Sequence, residues 1–87
     1  MNETSMLTMY GTTWCGGSRR ARLLLEQHQI PFHWIDIEED EDAARHLESL
    51  AHGFRSVPTL VWPDGSILVE PSLAELEIKL GLKQVSS

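Results

Sequence analysis

The chain has 87 residues, of which 41% are hydrophobic and 23% are charged, and its formal net charge is −6. This length predicts a single domain over residues 1–87, with its core at about 6–80, that buries roughly two-thirds of the unfolded surface. The acidic balance argues against nucleic acid as a partner, because phosphate binding requires clustered lysines and arginines. No apolar run approaches the ~20 residues of a membrane span, so no membrane partner is expected.

Cys15 is the only cysteine of the chain. A single cysteine excludes an internal disulfide framework and is typical of a reducing compartment. Residues 1–5 carry a negative charge and no apolar segment, which is unlike a signal peptide. We therefore expect the protein in the cytoplasm.

The first half of the chain predicts a strand, a helix and a second strand. An apolar run over 6–10 predicts the first strand, and residues 18–28 predict the first helix. Residues at helical spacing form one buried stripe of this helix: Ala21, Leu24, Leu25 and His28. Pro31 ends the helix and precedes a strand over 32–37 that is rich in aromatic and β-branched residues. A unit of this kind implies two parallel strands with a right-handed crossover.

An acidic run over 38–42 opens the second predicted helix. A cation site and a docking patch are alternatives, but acidic side chains at a solvated helix N-terminus complement the helix dipole, and we favour that interpretation. The apolar face of this helix comprises Ala43, Leu47, Leu50 and Ala51. The helix is expected to end near Gly53.

A β-hairpin and a third helix complete the chain. Residues 56–62 and 66–70 are expected to pair through a turn at 63–65. A capping box that starts at Ser72 opens the third helix, and Gly81 ends it. The order β-α-β-α-β-β-α predicts an α/β sandwich in which three helices flank one four-stranded sheet.

Cys15 lies in the turn between the first strand and the first helix. Unpaired backbone N–H groups and the positive end of the helix dipole favour an anion at such a position. A thiolate is such an anion, and it is the nucleophilic form of cysteine. Three arginines follow closely and add positive charge: Arg19, Arg20 and Arg22. We therefore predict that the pKa of the Cys15 thiol is depressed.

Four sequence features, in their order and spacing, resemble the glutaredoxin family, and most closely its mycoredoxin-type members. They are residues 12–20 (TTWCGGSRR), 35–38 (IDIE), 57–59 (VPT), and 63–66 (PDGS) leading to 71–73 (PSL). The resemblance covers residues 6–80. It implies a thioredoxin-like fold with a four-stranded mixed sheet and three helices, and a redox-active cysteine that performs thiol–disulfide exchange.

The chain departs from the mycoredoxin pattern in the active-site turn. Typical mycoredoxins carry Cys-Gly-Tyr-Cys, whereas this chain has Ser18 in place of the second cysteine and Gly17 in place of the aromatic residue. Without a second thiol, Cys15 cannot close an intramolecular disulfide. The resemblance therefore implies a monothiol mechanism, in which one activated cysteine exchanges a small thiol with a client protein.

Ser18 is a candidate catalytic residue together with Cys15, and its side chain has three interpretations. It could cap the helix, it could donate a hydrogen bond to the Cys15 sulfur, or it could be an engineered replacement of a cysteine that traps a mixed disulfide. The first two are compatible with one another, and we favour them together.

The resemblance also assigns residues to the binding site of the small thiol. Val57 corresponds to the residue before the family's cis-proline, and its backbone groups pair with the bound thiol. Pro58 is then that cis-proline, the alternative being a trans proline at the start of a strand. The helix that begins at Ser72 offers N–H groups to a carboxylate of a glutathione-like ligand, unless Ser72 is a plain helix cap.

The remaining candidates lie in or near the active-site turn. Tyr10 and Trp14 are candidates for the walls of a groove, although aromatic residues beside a core strand often serve packing. Gly16 and Gly17 are expected to contact the small thiol. Arg19 is expected to support the thiolate or a carboxylate, unless it simply faces solvent.

Four histidines invite a metal hypothesis: His28, His33, His46 and His52. None forms a two-ligand helical or loop spacing with another histidine or with Cys15. We therefore expect no metal site.

The function implied is an enzyme that removes a low-molecular-weight thiol from S-thiolated client proteins. Mycothiol, or else glutathione or bacillithiol, is the cosubstrate, no cofactor is bound permanently, and the protein is a monomer or a weak or disulfide-linked dimer. Two other classes stay open: an iron–sulfur cluster carrier of the monothiol glutaredoxin type, and a redox-inert docking module. The carriers have a lysine-containing loop with a proline before the cysteine. That loop does not appear here, since Trp14 precedes Cys15, which disfavours the carrier.

Overall fold

The computed structural model describes residues 6–84, so the expectation about residues 1–5 lies outside it. Seven regular elements follow in the predicted order. They are β1 (Leu7–Gly11), α1 (Gly16–Gln27), β2 (Phe32–Asp36), α2 (Glu41–Leu50), β3 (Thr59–Val61), β4 (Ile67–Val69) and α3 (Leu73–Lys79). No helix of this described part is long and apolar enough to cross a bilayer.

The four strands form one mixed sheet in the order β2-β1-β3-β4. β1 pairs in parallel with β2, as the strand–helix–strand unit predicts, and β3 is antiparallel to both β1 and β4. Tyr10 near the end of β1 is in register with Thr59 at the start of β3. The turn that follows β1 and the loop that precedes β3 therefore meet at one edge of the sheet.

Alternate residues of β1 pack on opposite faces of the sheet, as the pleat requires. Met9 belongs to a core cluster with α1 and α3, and Tyr10 belongs to a cluster with α2. The buried members of the first cluster are Leu7, Met9, Ala21, Leu25, Leu60 and Leu76. Those of the second are Tyr10, Ile37, Ala44, Leu47 and Ala51. The active-site turn is thus carried by the strand on which both layers pack.

Helix α1 begins earlier and ends earlier than predicted. Gly16 is its first residue, Cys15 is the N-cap, and Gln27 is its last residue. His28 is exposed at the C-cap, so its assignment to the buried stripe is wrong. The helical geometry that would have placed it on the stripe ends one residue before it, and Gln29 then takes a positive φ of 57°.

Helix α2 begins with a solvated acidic N-terminus, as predicted. The Asp40 carboxylate accepts a hydrogen bond from the Ala43 N–H at 3.0 Å, and the first turn carries Glu41 and Asp42. The predicted apolar face packs in the core, with Leu47 and Ala51 buried and Ala43 and Leu50 half-buried against them, and the fully buried Ala44 extends it. Its last residue is Leu50, three residues before Gly53.

The hairpin and α3 have the predicted places, with shorter strands. Proline lacks a backbone N–H, and the β3 ladder begins at Thr59, directly after Pro58. The turn has Gly65 at φ 94°. Gly81, with φ 79°, follows the last turn of α3 as predicted.

Candidate active site

Cys15 occupies the N-cap of α1 with its thiol half-buried. Its backbone is extended, with φ −79° and ψ 123°, and its side chain makes no capping hydrogen bond. Its carbonyl accepts the Arg19 N–H at 3.0 Å, which begins the helix. The thiol donates to the Val57 carbonyl, with 3.8 Å between sulfur and oxygen. The sulfur therefore lies between the first turn of α1 and the loop before β3.

The pKa of the Cys15 thiol is lowered, as predicted. Burial raises the pKa, but hydrogen bonds to the sulfur from the Ser18 backbone, the Ser18 hydroxyl and the Gly17 backbone together outweigh burial, while the nearby charge of Glu70 raises the pKa further. No arginine contributes to this shift. The direction of the prediction is confirmed, and the causes that lower the pKa are donors at the helix N-terminus, with no arginine among them.

Ser18 lies inside the first turn of α1 and is fully buried. It is the third residue of the helix and not its cap, so the capping interpretation is wrong. Its hydroxyl oxygen accepts the Thr12 N–H at 3.4 Å, and its hydroxyl is one of the groups that lower the Cys15 pKa. The hydrogen bond to the sulfur is therefore the interpretation that the lowered pKa of Cys15 supports.

Glycine at position 17 allows the turn to approach Pro58 closely. A Cβ on Gly17 would lie 3.2 Å from Pro58 Cδ and 3.8 Å from Cys15 Sγ. The peptide bond between Val57 and Pro58 is cis, as the resemblance implies, and Pro58 is buried. The Pro58 carbonyl accepts the Glu70 N–H at 2.8 Å, which ties this loop to the end of β4.

Gly11 supports the site, a role that the sequence motifs do not indicate. A Cβ there would lie 2.8 Å from both Ser18 Oγ and the Trp34 ring. Any larger residue at position 11 would displace the Ser18 hydroxyl or the Trp34 ring. The available signal is a glycine at the end of a core strand, directly before a functional turn.

A groove beside Cys15 is named here the Val57 groove. It has a volume of about 530 Å³ and is lined by Thr12, Trp14, Ile37, Glu38, Glu41, Arg55 and Val57. Trp14 is 66% exposed and lines this groove, as its candidacy for a groove wall requires. Arg55 forms ion pairs with Glu41, which also lines the groove, and with Glu48. Thr12 Oγ1 is buried with no hydrogen-bond partner among residues 6–84.

Two candidates lie away from this groove. Tyr10 is only 7% exposed and packs in the α2 cluster, with its ring centroid 6.2 Å from that of His46, so it is a core residue and not a groove wall. Ser72 caps α3: its hydroxyl accepts the Glu75 N–H at 3.0 Å, and its own N–H donates to the Glu75 carboxylate at 2.8 Å. The capping box thus occupies donors that a ligand carboxylate would need.

Arg19 lies in a second groove, named here the arginine groove. It has a volume of about 680 Å³ and is lined by Thr13, Gly16, Arg19, Arg20, Arg22, Leu23, Glu26 and Trp34. Gly16 faces this groove, with Arg20 Nη1 3.2 Å from the place of its absent Cβ. The predicted binding residues are therefore divided between two grooves, with Gly16 and Arg19 in this one and Trp14 and Val57 in the other. Within residues 6–84, no cluster of three or more His, Cys, Asp or Glu side chains could hold a metal ion.

Comparison with known proteins agrees with this geometry. The glutaredoxin family model matches residues 7–67. A Mycobacterium tuberculosis protein whose name places it among the glutaredoxins is 40% identical over 77 residues, covering 88% of this chain and 92% of that protein. Mycoredoxin 1 of Corynebacterium glutamicum is 33% identical over 76 residues, covering 87% and 94% of the two chains.

A solved structure shows the same fold. The glutaredoxin of Archaeoglobus fulgidus superposes with a TM-score of 0.71 at 24% identity, and the match covers 84% of this chain and 83% of that chain. The thioredoxin-like arrangement of three helices and a four-stranded mixed sheet is therefore confirmed.

Proposed function

The chain belongs to the glutaredoxin family, and we propose that it acts as a monothiol thiol–disulfide oxidoreductase on S-thiolated client proteins. Thiol–disulfide exchange in general is what the family supports. One observation carries the finer proposal: the only cysteine is the N-cap of α1, its pKa is lowered by adjacent donors, and Ser18 stands where a second thiol would be.

In the first step, the Cys15 thiolate attacks the small-thiol sulfur of a client mixed disulfide. A sulfur–sulfur bond forms between Cys15 and the small thiol while the original disulfide bond breaks. The client cysteine leaves with the electron pair of that bond and takes a proton from solvent. The client is thereby reduced, and Cys15 retains the small thiol.

In the second step, the thiolate of another small-thiol molecule attacks the same small-thiol sulfur. The bond to Cys15 breaks, Cys15 returns as a thiolate, and the two small thiols leave joined as their disulfide. The two electrons that reduce the client therefore come from two small-thiol molecules. Donors that stabilise the Cys15 thiolate also make it a good leaving group in this step, because exchange rates depend on the pKa of the leaving thiol.

The Val57 groove is the proposed place of the small thiol. Val57 faces the Cys15 sulfur with its carbonyl, Trp14 supplies an exposed apolar wall, and the buried Thr12 hydroxyl has no hydrogen-bond partner among residues 6–84. The absence of a side chain at Gly17 keeps the sulfur open on the side of Pro58. These contacts support binding of a small thiol through its backbone-like groups beside the exchanging sulfur.

Mycothiol is the proposed cosubstrate. The similarity to a mycoredoxin supports it, and so do the charges of the Val57 groove. Glu38 and Glu41 line that groove, and Arg55, the basic residue among its described lining, is already paired with Glu41 and Glu48. The two carboxylates of glutathione would add negative charge without a free cationic partner, and unpaired charge of one sign is unfavourable.

The experiment is to incubate the reduced protein separately with mixed disulfides of mycothiol, glutathione and bacillithiol, and to weigh the products by mass spectrometry. We expect one adduct at Cys15, formed fastest with mycothiol and removed by excess mycothiol, and none in Cys15→Ala. Fastest reaction with glutathione would reject the cosubstrate and keep the mechanism. No adduct with any of the three, together with an ordinary thiol pKa, would reject the enzyme in favour of a carrier or docking role.

A further inference from the structure

We propose that the arginine groove docks an acidic segment of the S-thiolated client protein, beside the client cysteine that carries the small thiol. The proposal rests on the proposed function, because it names the kind of client that Cys15 meets. It concerns a surface that the exchange steps themselves do not use.

The two grooves flank the active-site turn on opposite faces of the sheet. Trp34 in the floor of the arginine groove packs with the cluster under α1, whereas Ile37 and Val57 pack with the cluster under α2. Thr13 and Gly16, on either side of Cys15 in sequence, line the arginine groove. A small thiol in the Val57 groove therefore leaves the arginine groove free for the polypeptide on the other side of the disulfide.

The groove concentrates positive charge on an acidic protein. Three of the seven Lys and Arg residues of the chain line it, against 13 Asp and Glu residues overall. Arg45 and Arg55 form ion pairs with carboxylates elsewhere, but within residues 6–84 neither Arg19 nor Arg20 has such a partner. These two guanidinium groups are available to carboxylates of a partner.

The side chains around them shape the groove for a peptide. The Arg20 guanidinium lies against the backbone of Gly16, next to the active-site turn. Arg22 forms an ion pair with Glu26, with 3.6 Å between Nε and the carboxylate oxygen. Its guanidinium carbon lies 4.5 Å from the centroid of the Trp34 ring. Leu23, 53% exposed, adds an apolar contact. The surface thus fits a segment with two or more carboxylates and an apolar side chain.

The arginines follow the N-terminus of α1, where basic side chains oppose the helix dipole. The first turn of α1 contains no acidic residue, whereas those of α2 and α3 do. A residue type that lowers local stability, such as arginine at a helix N-terminus, is typical of a functional surface. Complementary charge on a partner also raises the association rate and selects among partners.

The test uses three peptides of one sequence, each with a cysteine in a mixed disulfide with mycothiol. The flanking residues are Asp and Glu, or Asn and Gln, or Lys. We expect kcat/KM to be about three- to tenfold higher for the acidic peptide than for the amide peptide, the range that two exposed ion pairs give. The ratio should fall as salt is added, because exposed charges are screened.

Matched variants assign the effect to the groove. Arg19→Gln with Arg20→Gln should abolish the preference, and Arg19→Glu with Arg20→Glu should favour the Lys peptide. Arg45→Gln with Lys83→Gln changes the net charge equally outside the groove lining and should keep the preference. Equal kcat/KM for acidic and amide peptides in the wild type would overturn the proposal, as would loss of the preference in the control variant.

Two further outcomes separate this proposal from others. If Arg19→Gln with Arg20→Gln slows all peptides equally and keeps the preference, the arginines serve the small thiol and the docking proposal is wrong. Binding of fluorescent acidic and amide peptides without a disulfide to Cys15→Ala, followed by anisotropy, tests docking when no exchange can occur. Equal affinities there overturn docking, whereas failure of exchange with every peptide overturns the proposed function alone.

Discussion

The N-terminus of α2 carries an aspartate cap and acidic side chains, whereas that of α1 carries a cysteine cap followed by arginines. In α2, the Asp40 carboxylate accepts the Ala43 N–H at 3.0 Å, and Glu41 and Asp42 complete the first turn. In α1, Cys15 makes no capping hydrogen bond and the first turn has no acidic residue. One helix end satisfies its own donors, and the other leaves them for the sulfur.

The difference shows how the protein divides stability and reactivity between similar local structures. Every helix starts with N–H groups that lack intrahelical partners. A carboxylate cap uses these donors to stabilise the helix, typically by about 1 kcal/mol. At α1, donors from Gly17 and Ser18 lower the Cys15 pKa and so favour the nucleophilic thiolate. We expect substitutions at the two helix ends to have opposite consequences for activity and stability.

The largest expected effect is at Cys15. Cys15→Ala and Cys15→Ser should both abolish thiol–disulfide exchange, because neither side chain forms a thiolate. Cys15→Ser should be more stable than Cys15→Ala by about 0.5–1 kcal/mol, since a serine hydroxyl caps the donors that cysteine leaves open. Activity with a mycothiol mixed disulfide and urea unfolding check both statements; residual exchange in either variant would contradict the assignment.

Gly11 should show the next effect. Gly11→Ala places a Cβ 2.8 Å from Ser18 Oγ and from the Trp34 ring. Overpacking of this kind typically costs about 1–3 kcal/mol, so the free energy of unfolding should fall and the Cys15 pKa should rise as Ser18 moves. Gly65→Ala, in the hairpin turn with open space around it, is the control that should leave the Cys15 pKa unchanged.

Asp40 should affect stability alone. Asp40→Ala removes the cap of α2 and should cost about 0.5–2 kcal/mol. The variant should keep full exchange activity and an unchanged Cys15 pKa, because the α2 cap does not contact the sulfur. A tenfold loss of activity in a folded Asp40→Ala protein would show that the two helix ends are coupled and that the comparison is wrong.

The pH dependence of stability should show the smallest effect. A thiol whose pKa is lowered by folding adds stability once it ionises, so this contribution grows as pH rises through the folded pKa. It is complete above the ordinary thiol value of about 8.5 and is lost as pH falls through the folded pKa. Relative to Cys15→Ser, the wild type should therefore gain stability across that window, as measured by urea unfolding at several pH values.

Much of this fold could be predicted because its signals are local. The acidic N-terminus of α2, the capping box at Ser72, the turn at Gly65 and the helix stop at Gly81 each follow from side-chain or backbone chemistry within a few residues. His28 was misplaced because the helical period continues in sequence beyond the residue at which the helix ends. Helix boundaries are the least reliable part of such predictions for this reason.

The site was predictable where the family motif reaches and less so elsewhere. Cys15 and the cis Pro58 follow from the motif, whereas the role of Gly11 depends on its close approach to Ser18 Oγ and to the Trp34 ring, which is distant in sequence and which no local pattern reveals. The resemblance makes Tyr10 a candidate for the groove wall, with packing beside a core strand as the alternative, and alternation in β1 does not decide between the two. Its position in the core was settled by packing against α2.

The most direct test is a pH titration of the Cys15 thiolate, followed by its ultraviolet absorbance, in the wild type and in Ser18→Ala. The structure predicts a wild-type pKa below the ordinary value of about 8.5 and a higher pKa in Ser18→Ala, because the variant loses the hydroxyl donor to the sulfur. Cys15→Ala supplies the baseline without a thiol. A wild-type pKa at or above the ordinary value would contradict the claim that the N-terminus of α1 stabilises the Cys15 thiolate.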